Sequence, residues 1–242
     1  MGTSGSYSAP PSWGKLKGQV TRSASGGHLS RTSASRLMKG FVSYNGGASR
    51  IARHSGGGGV VAKGRAAQGV ARRLAGFVSD VGELGFENAT KKAGWSDLVG
   101  RPINEVISAL LDRLSGDSNT LDDVDARMAL STLQDEYFSS ATTTEELGEL
   151  IIAQTARLEL FLLDFFGHYL YEVFCRVFFE RLVQRVGEMK AYSFLADIRD
   201  FIRSTLSNRT AVRNLSDIDW DGVSGQTMIQ EIMETTLTVF GG

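Results

Sequence analysis

The chain has 242 residues, with 26 Lys or Arg against 27 Asp or Glu, three His and one Cys. A single thiol excludes an intramolecular disulfide and a cysteine-built zinc site. The net charge of −1 hides a division. The first acidic residue is Asp80, and the 79 residues before it carry 12 Lys or Arg, whereas 14 basic residues face 27 acidic ones from Asp80 onward, a sum of −13.

The basic head is rich in Gly and Ser, with Gly26-Gly27, Gly46-Gly47 and the run Gly56 to Gly59. Such a composition offers little apolar surface to offset the entropy of ordering, so the expectation is a long disordered Gly/Ser/Arg-rich arm over residues 1–66. The four-glycine run lacks the following Gly-Lys-Ser or Gly-Lys-Thr of a phosphate loop and reads as linker. Arg50, Arg53, Lys63, Arg65, Arg72 and Arg73, at the end of the arm and the start of the first body helix, are the candidate contacts for nucleic acid, by counterion release. An arm folding back on the acidic body is the other reading of the same charge. Tyr7, Trp13, Phe41 and Tyr44 are too sparse for a base-stacking platform.

The body, 67–242, has helical periodicity throughout. Val70, Leu74, Phe77, Val78, Val81 and Leu84 form one stripe, and a break is expected over Gly85 to Gly94. Pro102 opens a second helix carrying Ile103, Val106, Ile107, Leu110, Leu111 and Leu114 on one face. Thr120, with Asp123 three residues on, predicts a capped start for a helix bearing Val124, Met128, Leu130, Leu133 and Tyr137. Thr144 is the expected cap of a pattern running to about Val186, divided at Gly167 or near Gln154-Thr155. Further helices are expected over 191–206 and around Met228 to Phe240. No strand pattern competes, so the body is an all-α helical bundle. Charged residues interrupt the apolar stretch from Leu158 to Val183, which excludes a membrane span. The first thirty residues hold no apolar signal segment, so a cytoplasmic location is expected.

No catalytic constellation or cofactor motif is present. His28 and His54 lie in the arm, while His168, flanked by Asp164 and Glu172, fits an ordinary helix-surface charge pattern better than a metal site; Glu172, Arg176 and Glu180 are spaced to pair on that surface. Cys175 sits on an apolar stripe and is assigned to packing. The start of the chain is sharper. Met1-Gly2 favours removal of Met1, leaving an unhindered Gly2 amine with a pKa of about 7.7 to 8.0. Met1 to Ser6 also fits the N-myristoylation pattern.

The opening Met-Gly-Thr-Ser and the acid-poor arm precede Leu98-Val-Gly-Arg-Pro-Ile-Asn-Glu-Val-Ile-Ser-Ala-Leu-Leu-Asp-Arg-Leu114 and Thr120-Leu-Asp-Asp-Val-Asp-Ala-Arg127. With Asp164-Phe-Phe-Gly167 and Phe194-Leu-Ala-Asp-Ile-Arg-Asp-Phe-Ile202, these segments resemble the QatB family of the bacterial Qat anti-phage defence system. The resemblance implies a non-enzymatic component acting beside an ATPase, a QueC-like protein and a TatD-like nuclease. QueC-type chemistry activates a carboxylate with ATP. In that setting Gly2 is the expected acceptor of the activated acyl group, with Thr3 and Ser4 in the recognised terminus. The alternative is a nucleic-acid-binding accessory protein acting through the basic arm.

Overall fold

The computed structural model describes residues 11–53, 64–117, 119–215 and 217–241. Among these residues there is no strand; the chain forms eleven α-helices and one 3-10 turn at Ser96–Leu98. In chain order they are α1 Pro11–Ser25, α2 Arg31–Tyr44, α3 Ala48–Arg53, α4 Arg65–Leu84, α5 Phe86–Lys92 and α6 Ile103–Ser115. The remainder are α7 Leu121–Phe138, α8 Thr144–Thr155, α9 Leu158–Val186, α10 Glu188–Leu206 and α11 Val223–Val239. The fold is all-α, as the periodicity requires.

Helix α9 is the central element. Six successive residues, Phe165 to Leu170, are buried, and at 100° per residue they cover the whole circumference. Helices α10, α7, α1, α11, α4 and α8 pack around it. Gly167 does not divide this helix. A Cβ there would run into Leu206 and Ile202 of α10, so the glycine permits the close crossing of α9 and α10. The chain reverses between these two helices at Gly187, whose φ of 84° favours a residue without a side chain. Thr120 and Asp123 make the reciprocal capping box at the start of α7. Thr143, rather than Thr144, caps α8, and α8 and α9 part at Ala156-Arg157. The expected break after α4 contains α5, whose Ala89 and Thr90 are buried.

The expected arm is corrected over residues 11–53. Leu16, Val20 and Ala24 of α1 and Leu37, Met38, Phe41 and Val42 of α2 recur at helical spacing and are buried in the common core. Trp13 stacks on Tyr44 with ring centroids 4.3 Å apart and lies 5.4 Å from Phe178 of α9; Phe41 meets Phe174 edge-on at 5.2 Å. Asp197 of α10 accepts the Leu29 N–H at 2.7 Å and faces His28 at 3.1 Å. The physical reason for the miss is local density: averaged over 66 residues the glycines and serines dominate, yet the few large apolar residues cluster on two helix faces. Gly2, Thr3, Ser4, His54 and Lys63 lie outside the described residues.

These helices predict resistance where an arm would be cut. Limited trypsin digestion should spare the bonds after Arg22, Arg36 and Lys39 while the core is folded. Phe41→Ala should lower the free energy of denaturant unfolding by about 3–5 kcal/mol, the usual cost of emptying a buried phenylalanine site.

Candidate functional site

A cavity of about 350 Å³ lies between α7, α9 and α10. Its inner wall carries Asp164 and His168 from successive turns of α9, with Glu136 and Tyr137 entering from α7. The Tyr137 hydroxyl donates to Asp164 Oδ2, and His168 Nε2 lies 3.2 Å from Glu136 Oε2. Leu160, Leu163, Ile202 and Leu206 supply the apolar surface. Four arginines line the cavity, and two of them have polar partners: Arg157 donates to the Tyr137 hydroxyl at 3.3 Å, and Arg203 pairs with Glu136 at 3.4 Å. Arg199 lies over the Tyr171 ring at 6.0 Å. The Arg209 guanidinium has no hydrogen bond or ion pair among the described residues.

Burial controls the titration of this site. It pushes the Asp164 carboxyl above its ordinary 3.8 despite the Tyr137 hydrogen bond and nearby His168, and holds His168 below 6.5 although Glu136 favours the cation. A neutral His168 donating from Nε2 to the Glu136 carboxylate fits the 3.2 Å separation and leaves Nδ1 as an acceptor. The surface-charge expectation for His168 is therefore corrected: the ring is buried, and its close carboxylate comes from α7 rather than from the Glu172 of its own helix. No group of three or more potential metal ligands occurs among the described residues.

The same correction applies to Arg176. It leaves the expected Glu172 and Glu180 partners and joins Asp125 of α7, with Nε–Oδ2 and Nη2–Oδ2 distances of 2.8 and 2.7 Å. A fourth α9 polar side chain, Glu159, is 3 % exposed and accepts the backbone N–H groups of Val212 and Arg213 at 2.7 and 2.8 Å, together with the Arg213 guanidinium. Burial alone would raise its pKa; these hydrogen bonds outweigh burial and hold it below the ordinary 4.5. Cys175 is pushed up to about 12 by burial, so its thiol stays protonated and fits a packing role.

The expected basic contacts separate into distinct roles. Arg73 donates to the Leu114 and Ser115 carbonyls at 2.7 and 2.8 Å, closing the C-terminal end of α6. Arg53 pairs with Glu234 of α11 at 3.3 Å, and Arg50 and Arg65 are exposed. Arg72 is half-buried. The folded basic segment was missed: α1–α3 carry Lys15, Lys17, Arg22, Arg31, Arg36, Lys39, Arg50 and Arg53 without one acidic residue. The signal was the acid-free composition already noted, once its apolar residues are placed inside. Helix α7 also presents Leu121, Val124 and Met128 to solvent. Of the apolar residues expected on this helix, Leu130 and Leu133 face the core with Ala126 and Ala129, while Val124 and Met128 do not.

The lowered His168 pKa has a defined sign in stability. Below pH 6.5 the unfolded chain takes up the proton before the folded one, so His168 makes stability fall as the pH drops from about 6.5. His168→Gln should flatten the pH dependence of the unfolding free energy in that window, read as the difference from the unsubstituted protein.

No curated protein and no solved structure matches the chain significantly. Among the described residues no helix is long and apolar enough to cross a membrane. The family model described as the Qat anti-phage system associated protein QatB matches residues 46–240, beginning after α2 and covering the pocket, the α7 stripe and the helical core. On that match the chain belongs to the QatB family, and it is a component of an anti-phage defence system.

Proposed function

We propose that the chain is a non-catalytic docking component which binds a protein of its defence system through the helical body and presents Gly2 to a QueC-like enzyme. The observation that carries the reading is the anchoring of α1. Trp13 fixes the start of that helix against Tyr44 and Phe178. Gly2 is nine residues ahead of Pro11, so chain geometry keeps its amine within about 30 Å of the start of α1. The exposed Leu121, Val124 and Met128 stripe supports docking of a partner protein that brings the enzyme within that distance. An ATPase and a TatD-like nuclease complete the proposed set of partners, in the bacterial cytoplasm.

The chemistry is an acyl transfer. The enzyme joins a carboxylate to the α-phosphate of ATP and releases pyrophosphate; the neutral Gly2 amine attacks the acyl carbon, the new amide forms, and AMP and a proton leave. Gly2 has no side chain to meet a narrow pocket, and Thr3 and Ser4 follow as the recognised positions.

Co-expression with the neighbouring genes should remove Met1 and add the acyl mass to Gly2, read by intact mass and N-terminal fragmentation. Gly2→Val should abolish both the adduct and phage protection with the helical circular dichroism unchanged. An unmodified Gly2 in an active, assembled system refutes the acceptor role. Leu121→Glu combined with Met128→Glu should separately abolish co-purification of the partner.

A second reading rests on the eight basic residues of α1–α3. Cations concentrated on acid-free helices attract nucleic acid through its phosphates, with no base readout required. Because Arg53 and Arg73 already hold protein partners, the test uses the exposed Lys15, Arg22, Arg36 and Lys39. Replacing these four with Gln should weaken DNA or RNA binding and reduce the log–log salt slope by about 0.9 for each lost duplex phosphate contact. Absence of binding by the unsubstituted protein at low salt removes this reading.

A further inference from the structure

The cavity between α7, α9 and α10 combines two requirements that few ligands meet together. At its rim, guanidinium groups exceed carboxylates, with Arg157, Arg199, Arg203 and Arg209 set against Asp164 and Glu136. A concave site with that excess focuses a positive potential, and the planar guanidinium fork suits phosphate or carboxylate oxygens. Arg209, without a polar partner among the described residues, is available for such an anion. Deeper in, the demand reverses. Asp164 and Glu136 present carboxylate oxygens, and His168 Nδ1 is an acceptor once Nε2 serves Glu136. A simple anion entering this far would face two carboxylates. The occupant must therefore carry N–H donors at the end away from its anionic group.

The walls and size complete the description. Leu160, Leu163, Ile202 and Leu206 offer apolar surface to a flat ring, with Tyr171 beside them. A volume of about 350 Å³ falls at the lower end of ligand pockets, enough for one compact molecule and too little for a dinucleotide or a folded peptide segment. We propose that this pocket binds a nucleoside monophosphate, its phosphate held by Arg157, Arg203 and Arg209 and its base directing N–H groups to Asp164, Glu136 and His168. The site is independent of the Gly2 acceptor reading, since neither requires the other's residues.

The test uses the full chain. Isothermal titration calorimetry and thermal shift would be measured with the four ribonucleoside monophosphates, the matching nucleosides and inorganic phosphate. At least one monophosphate should bind with a Kd below about 1 mM, while its nucleoside and inorganic phosphate each bind at least about tenfold more weakly. Arg157→Gln with Arg209→Gln should cost about tenfold or more, and Asp164→Asn should reduce the preference among bases. Arg185→Gln, at the far end of α9, should leave binding unchanged. Circular dichroism confirms that each variant is folded. Failure of all four monophosphates at 1 mM overturns the proposal. So does phosphate binding as tightly as the nucleotide, because the inner acceptors would then recognise nothing, or unchanged affinity in the Arg157/Arg209 variant.

Discussion

Helix α9 has apolar side chains around its whole girth, and such a helix persists in water only when other elements cover every side. This requirement explains why the N-terminal segment is folded. Phe174 and Phe178 lie on α9 where α1 and α2 supply Trp13 and Phe41, and without those helices both rings would meet solvent. The opposite sides are covered by α7, α10 and α11. The family match begins at residue 46, so the first two helices that complete this cover stand ahead of the matched segment.

Polar residues on a buried helix demand partners from elsewhere, and α9 meets that demand in three different ways. Glu159 is held by backbone N–H groups and Arg213, an arrangement that keeps the loop before α11 in place. Asp125 and Arg176 pair directly between α7 and α9, where burial still raises the Asp125 pKa. Loss of either partner would leave a charge with poor solvation, so such pairs fix the relative placement of helices more than they add net stability. Asp164 and His168 have partners but also face a cavity. Here the helix polarity serves an open volume rather than a closed contact.

Local signals were legible wherever one helix determines its own side. The α4 stripe from Val70 to Val81, the Thr120–Asp123 cap and the Val106, Leu110 and Leu114 core of the α6 face follow from spacing alone and are realised, while Leu84 is exposed and Ile103, Ile107 and Leu111 are half-buried. Interactions between helices were not legible in the same way. Arg176 has a plausible carboxylate four residues away on either side, yet Asp125, 51 residues earlier, takes it. The cavity is a stronger case, because Glu136, His168 and Arg203 come from three helices and have no shared motif. Composition misled over 11–53 because glycine and serine dilute an average without preventing a helix whose large residues occupy one face. In α2, Ala34, Leu37, Met38, Phe41 and Val42 provide that face.

Folding the N-terminal segment changes what its charge can do. On a flexible arm, its cations would move independently and reach the acidic surface of the body. On α1–α3 they are fixed, while the apolar sides of the same helices hold them against α9, α10 and α11. Fixed positions give charge a direction, whether the partner is a phosphate chain or an acidic protein surface. The anchoring that orients those cations also limits Gly2, since both depend on α1 staying packed through Trp13. Disrupting the aromatic contact would therefore affect the placement of the α1 cations and terminal reach together, whereas neutralising surface cations would leave the tether in place.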